Sequence, residues 1–229
     1  MSSLPFGLKP ITKSVHCLMC GGLMRVGKTI DHRRKSDYAW CSSCDFAQIY
    51  PMPSEEEVLK YYTSGKYRTE THCKTDGPDE RNFHEEKTRA EGWLDYMSLP
   101  VERHLDIGSS AGKVLETIGA KVQVGVEPGA WGREYGAFEN LDEVEGTFDL
   151  VTCLHTLEHV VDPFEMLKKI RRLAVGQVCI ELPKPPGWGW PHLTCFRNKS
   201  LLKAMEDAGM PARIVNHDFH IKAKHETTP

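Results

Sequence analysis

The stretch HLDIGSSAGKVLE (104–116) decides how this chain folds. Its first residues form a short apolar run, Gly108 closes it, and KVLE opens a helical pattern, so a strand passes into a helix through a glycine-bearing turn. The same alternation continues downstream. QVGVEP (123–128) reads as a second strand, and FDLVTCLH (148–155) is a near-continuous apolar run of the kind buried on both faces of a parallel sheet. Asp162 as N-cap, Pro163 at the first helical position and Glu165 at the third mark a helix start. Phe164, Leu167, Ile170 and Leu173 share one face of that helix, while Lys168, Lys169, Arg171 and Arg172 fall on a solvated one. VCIELP (178–183) is a further strand, NKSLLKAMEDAG a helix ended by Gly209, and ARIVNHDF (212–219) a last strand. Strand–helix alternation of this kind predicts an α/β fold, a Rossmann-like doubly wound sheet.

Upstream, the pattern changes. CLMCGG and CSSCDF place Cys17, Cys20, Cys41 and Cys44 as two C-x2-C knuckles separated by twenty residues. Each knuckle can aim two sulfurs at one centre, and two of them close a tetrahedral Zn²⁺ shell with no open position. A zinc ribbon with a structural metal is therefore expected over 1–52. A redox pair is the competing reading, but neither knuckle precedes the helix of a thioredoxin-like unit. After Pro53, Ser54 and Glu57 form a capping box for a helix. Residues 64–84 are polar and punctuated by Gly and Pro, which suggests a loop, and a second helix is expected over about 84–98. This gives three parts: the ribbon (1–52), a helical connector and lid (53–100), and a ligand-binding domain (101–229).

Composition narrows the classes. Charged residues are 27%, the formal net charge is -3, and the basic run RRKSD (33–37) is short, so a broad nucleic-acid footprint is not indicated. The first fifteen residues lack the apolar core of a signal peptide, and no stretch approaches a membrane span. A cytoplasmic protein with no membrane partner is expected. Cys153 and Cys179 lie within apolar runs and read as small buried hydrophobes.

The turn after the first strand of the α/β part carries Asp106, Gly108, Ser110 and Gly112, and Glu127 ends the next strand. An acidic residue at that distance bonds the ribose hydroxyls of an adenosine-containing ligand in Rossmann-like sheets. The phosphate-binding versions of this turn do not fit. A dinucleotide site has G-x-G-x-x-G where this chain has G-x-S-x-G, and a P-loop needs four residues before GK and then Ser or Thr. Here three residues separate Gly108 from Gly112, and Val114 follows Lys113. S-adenosylmethionine (SAM) carries no phosphate and needs only glycine clearance and a ribose acid.

DIGSSAG, VGVEP, FDLVTCLHTLEHVVDP and HLTCFRNKSLLKAMEDAG together resemble the class I SAM-dependent methyltransferases of the methyltransferase-23 type over roughly 103–210. CSSCDFAQIYPMPSEEEVLKYYTSGKYR is similar to the N-terminal zinc-binding region of a subgroup that includes sugar C-methyltransferases. The resemblance implies that Asp106, Gly108, Ser110 and Gly112 surround the methionine part of SAM and that Glu127 takes the ribose hydroxyls. It also implies that the backbone at Leu154 and His155 lies near the sulfonium. In one respect the chain departs from the family. Only AWGREYGAFENLDEVEGT (130–147) is available for the usual helix and third strand, so the residue contacting the adenine amine is not assigned.

An oxygen or carbon acceptor needs a base near neutral pH. His155, Glu158 and His159 in LHTLEHV stand where the fourth strand meets its loop, at the ligand-binding edge of such a sheet. His155 is the favoured base because it is nearest the strand end; His159 and His192 are the alternatives, and Glu158 reads as a helper that fixes the loop. Tyr61, Tyr62 and Tyr67 could cover the cofactor, and Trp188 and Trp190 in PKPPGWGWPH could stack on a ring. The expected function is methyl transfer to a small molecule, a sugar such as a nucleotide sugar or glycan precursor. An RNA methyltransferase gripping substrate with the ribbon and an inactive SAM-fold binding module are the alternatives, the latter opposed by the intact pair Asp106 and Glu127. Oligomeric state is not legible.

Overall fold

A computed structural model describes residues 9–28, 37–67, 80–98, 100–129, 132, 134–184, 190–216 and 220–224. The N-terminal part is a run of antiparallel strands, β1 (Lys9–His16), β2 (Leu23–Lys28), β3 (Asp37–Trp40) and β4 (Ala47–Tyr50). The knuckles are tight turns between them: Cys17 N–H donates to Gly22 O at 2.8 Å and Cys41 N–H to Phe46 O at 2.9 Å. These turns bring the four sulfurs together, with Cys17 to Cys44 and Cys20 to Cys41 each 3.5 Å apart. That spacing matches the edge of a tetrahedron around Zn²⁺, so the cluster fits the structural metal expected there.

Helix α1 (Glu55–Thr63) begins with the expected capping box: Glu57 N–H donates to Ser54 Oγ at 3.2 Å and Ser54 N–H to Glu57 Oε2 at 2.8 Å. Helix α2 (Glu80–Leu94) starts about four residues earlier than the sequence pattern placed it. Then follow β5 (Arg103–Ile107), α3 (Lys113–Ile118), β6 (Val122–Val126), β7 (Phe148–Leu154), α4 (Pro163–Leu173) and β8 (Ala174–Glu181). The chain ends in β9 (Thr194–Cys195), α5 (Asn198–Asp207), β10 (Ala212–Asn216) and β11 (His220–Lys224).

The second sheet has the order β10-β11-β8-β7-β5-β6, with β8, β7, β5 and β6 parallel. Asp162 caps α4 as its sequence predicts, accepting from Phe164 N–H at 3.0 Å and Glu165 N–H at 2.9 Å. Leu167 and Ile170 of α4 and Leu201 and Met205 of α5 are fully buried on one face of the sheet, and Ala90 and Trp93 of α2 on the other.

The edges of this sheet depart from the sequence reading. The C-terminus is two strands rather than one, because β11 pairs antiparallel with β8 and separates it from β10. Residues 134–147 form no strand among the described residues. They contribute one bridge, Val126 to Phe138, and a short 3-10 turn at Leu141–Glu143. Too few residues lie between β6 and β7 to build both a crossover helix and a strand.

Thr194–Cys195 pairs with β4, so a segment of the α/β half completes the ribbon sheet. Phe46 is fully buried and its ring lies 4.9 Å from Phe196 and 5.4 Å from Phe164, which joins the ribbon's apolar centre to the main core. Among the described residues no helix is long and apolar enough to cross a membrane.

Candidate active site

Strands β5, β6, β7 and β8 end at one edge, and the order of the sheet reverses at β5, whose neighbours are β6 on one side and β7 on the other. Ligands bind outside the strand ends at such a reversal. A pocket of about 750 Å³ opens there, lined among others by Asp106, Gly108, Glu127, His155, His159 and His192.

At the β5–β6 end, Gly108 has φ +78°, and a Cβ there would lie 1.9 Å from Thr156 Oγ1. Both the backbone and the neighbour demand glycine. Gly108→Ala is expected to cost roughly 2 kcal/mol or more, from left-handed backbone strain plus the clash. At about 2–4 °C per kcal/mol for a chain of this size, thermal melting should fall by more than about 4 °C. An unchanged melting temperature would show that the turn is built differently.

Asp106 is 2% exposed and accepts from Thr152 Oγ1 at 2.6 Å. Thr152 in turn sits 2.8 Å from His104 Nε2, so His104 donates to Thr152 and Thr152 to Asp106. Burial pushes the Asp106 carboxyl up to about 7, with Thr152 opposing, and drives His104 down to about 3, which keeps that imidazole neutral. Glu127, 7% exposed, accepts from Ser110 N–H at 3.2 Å and Gly129 N–H at 2.8 Å. These bonds fix the carboxylate at the end of β6.

At the β7–β8 end, His155 follows β7 with φ 53°, a left-handed conformation uncommon outside glycine. Its Nε2 donates to Glu181 Oε1 at 2.9 Å, and its Nδ1 lies 3.5 Å from Glu158 Oε1. Burial disfavours the imidazolium, but Glu158 and Glu181 outweigh that and lift His155 to about 9. It is protonated at neutral pH. Glu181 is itself held by Trp93 Nε1 at 2.8 Å and lies 3.3 Å from Arg89. His159 has the opposite character. Burial pushes it down to about 4 despite Glu158, and its Nδ1 donates to Pro191 O at 3.2 Å, so it is neutral with Nε2 carrying the lone pair.

Glu158 is 1% exposed, and neither side-chain oxygen has a hydrogen-bond partner among the described residues. Burial opposes its charge, yet the protonated His155, 3.5 Å away, holds its carboxyl below the usual range. Tyr62 and Tyr67 each place a ring 6.0 Å from His159, and His192 lies 4.8 Å from it, so all three surround that imidazole. Trp190 packs on Tyr61 at 4.8 Å, and Trp188 lies outside the described residues.

Of the residues assigned from the sequence to the cofactor and acceptor ends, Asp106, Gly108, Ser110, Glu127, Leu154, His155, Glu158, His159, His192, Tyr62 and Tyr67 line one pocket, whereas Gly112, Tyr61 and Trp190 are not among its lining residues. The sequence reading missed Glu181, Arg89, Trp93, Thr152 and His104. Only Thr152, a polar residue within the apolar run of β7, left a local signal. Three basic residues of α4 are engaged: Lys169 pairs with Asp142 at 2.7 Å, Lys168 with Glu165 at 3.4 Å, and Arg171 Nε donates to Gly209 O at 3.2 Å.

The fold and this site define a class I SAM-dependent methyltransferase architecture. Residues 80–211 match the methyltransferase domain family, more than half of the chain, and the protein belongs to that family. The ubiquinone biosynthesis O-methyltransferase of Burkholderia ambifaria is 34% identical over 152 residues, and that of Acinetobacter baumannii 29% over 154. Each match covers 56% of this chain and 61% of the relative, so the chain spans about three-fifths of these proteins. Among solved structures, the SAM-bound magnesium protoporphyrin IX methyltransferase of Synechocystis PCC 6803 superposes with TM-score 0.55 at 14% identity, covering 77% of this chain and 99% of that one. A SAM-dependent methyltransferase from Aquifex aeolicus gives 0.50 at 15% identity, covering 65% and 99%. These likenesses establish the fold.

Proposed function

We propose that the protein transfers the methyl group of SAM to a hydroxyl on a ring of a small molecule. The observation that carries this is a single pocket with two differently built ends. One end offers a clear glycine turn and two buried carboxylates, Asp106 and Glu127; the other offers a buried carboxylate, Glu158, among imidazoles. Bound SAM supplies a methyl group on a sulfonium, already equipped with a good leaving group. Asp106, Gly108, Ser110 and Gly112 hold its methionine part, Glu127 its ribose hydroxyls, and the backbone at Leu154 and His155 borders the sulfonium.

What remains for the protein is to align the acceptor and remove its proton. His155, charged and clamped by two carboxylates, holds the loop in place. His159, neutral and with its Nε2 uncommitted to the Pro191 carbonyl, is the histidine on which proton removal depends. This reverses the order of preference that strand position alone gives. Tyr62, Tyr67 and Trp190 supply flat apolar faces for a ring. A phenolic acceptor is favoured by the ubiquinone biosynthesis O-methyltransferase relatives, and a sugar is the second reading, favoured by the resemblance of the ribbon and connector to sugar methyltransferases.

Calorimetric titration of S-adenosylhomocysteine tests the cofactor end. Loss of a charged hydrogen bond costs about 1.5–3 kcal/mol, so Glu127→Ala should weaken binding roughly 10–150-fold. Equal affinity for both proteins would mean that the adenosine lies elsewhere.

A further inference from the structure

We propose that Glu158, His159 and His192 form a binding site for a divalent first-row cation, open to the acceptor side of the pocket. Their ligand atoms all lie within 4.8 Å of one another, and all three residues line the pocket. Two imidazoles and a carboxylate suit Mn²⁺, Fe²⁺, Co²⁺ or Zn²⁺, and three protein donors leave positions for an acceptor oxygen and water. This donor set is distinct from the four thiolates of the ribbon.

Three features prepare the site. Glu158 is buried with both oxygens lacking a hydrogen-bond partner among the described residues; the imidazoles of His155 and His159 stand off at 3.5 and 3.7 Å, and a cation would give the carboxylate a direct partner. His159 donates from Nδ1 to the Pro191 carbonyl, the outer bond that commonly orients a ligating imidazole, and its Nε2 lies 3.7 Å from Glu158 Oε1. The third donor is placed by the main chain around it. Tyr38 Oη donates to His192 O at 2.6 Å, Leu193 N–H donates to Glu158 O at 2.7 Å, and Ile49 N–H donates to Leu193 O at 2.7 Å. Ribbon strands β3 and β4 thus set His192 against the loop that bears the other two donors.

The inference rests on the proposed reading of the acceptor end and deepens it. A hydroxyl bound to the cation loses its proton more readily, the proton passing to water rather than to His159, whose Nε2 then holds the ion. The oxygen then bonds to the methyl carbon as the carbon–sulfur bond breaks, and the sulfonium becomes a neutral thioether. His155 keeps its bond to Glu181 when Glu158 turns to the ion.

Titration of Mn²⁺ into the full-length, zinc-loaded protein, followed by electron paramagnetic resonance, tests this, because a thiolate ribbon disfavours Mn²⁺. One Mn²⁺ per chain is expected, bound at least tenfold more weakly in both Glu158→Gln and His192→Ala. The variants' zinc content should stay unchanged, which shows that they fold. Absence of bound Mn²⁺ in the wild type, or undiminished binding in both variants, would overturn the site. Methyl transfer that persists in Mn²⁺-free protein under those conditions leaves the proposed function standing on the imidazole cluster alone. Absence of cofactor binding and transfer would instead remove that function.

Discussion

His159→Ala is expected to lower single-turnover methyl transfer by about 10²–10⁴, the usual contribution of a positioned acid–base group, while cofactor affinity changes little. The expectation comes from the environment of its ring. His159 is neutral, its Nδ1 is committed to the Pro191 carbonyl, and Tyr62, Tyr67 and His192 enclose it on the acceptor side. His155→Ala should behave differently. It removes the partner shared by Glu158 and Glu181 and leaves two carboxylates facing a buried space, so stability and cofactor binding should fall together with the rate. A larger rate loss in His155→Ala, at unchanged cofactor affinity, would return the base to the strand end.

The second large effect concerns the ribbon. Cys41→Ser combined with Cys44→Ser removes half of the thiolates and should abolish zinc binding. Structural zinc contributes about 10–16 kcal/mol of apparent binding free energy in zinc-finger peptides, comparable to the entire net stability of a domain, about 5–15 kcal/mol. The damage should not stop at the knuckles. Phe46 packs on Phe164 and Phe196, and β4 pairs with Thr194–Cys195, two residues from His192. Elemental analysis should show the loss of zinc, and calorimetry a melting transition broadened or displaced downward by more than 10 °C or so, since each kcal/mol is about 2–4 °C. Full zinc content in the double variant would refute the ligand assignment.

These expectations also show where the sequence is informative. Asp106, Gly108 and Glu127 are legible because a strand-to-turn transition and an acid at the next strand end are local patterns with one geometric outcome. Cys17, Cys20, Cys41 and Cys44 are legible because C-x2-C bends sulfurs toward one point. The Asp162 cap and the buried run of β7 follow from the same local logic. What escaped depends on pairing between distant segments. Glu181 reads as the polar end of an apolar strand, and only the packed fold brings Trp93, Arg89 and His155 to it. The two-residue strand β9 is too short to carry a periodic signal, yet it joins the ribbon to the acceptor end. β11 was hidden because His220–Lys224 mixes charged and apolar residues, as suits a strand near the sheet edge. The relative roles of His155 and His159 were also beyond sequence: the residues are four apart, and the carboxylates around them make one cationic and the other neutral.

The central claim is that one pocket joins a SAM-binding end to an acceptor end that activates a ring hydroxyl. Incubating the zinc-loaded protein with SAM carrying a ¹³C-labelled methyl group, and with separate panels of phenols and nucleotide sugars, tests it directly by carbon NMR. The account predicts a labelled methyl ether in the wild-type reaction, strongly reduced in both Glu127→Ala and His159→Ala. Label appearing on carbon or nitrogen of the acceptor, or a methyl ether formed equally well by both variants, would contradict it.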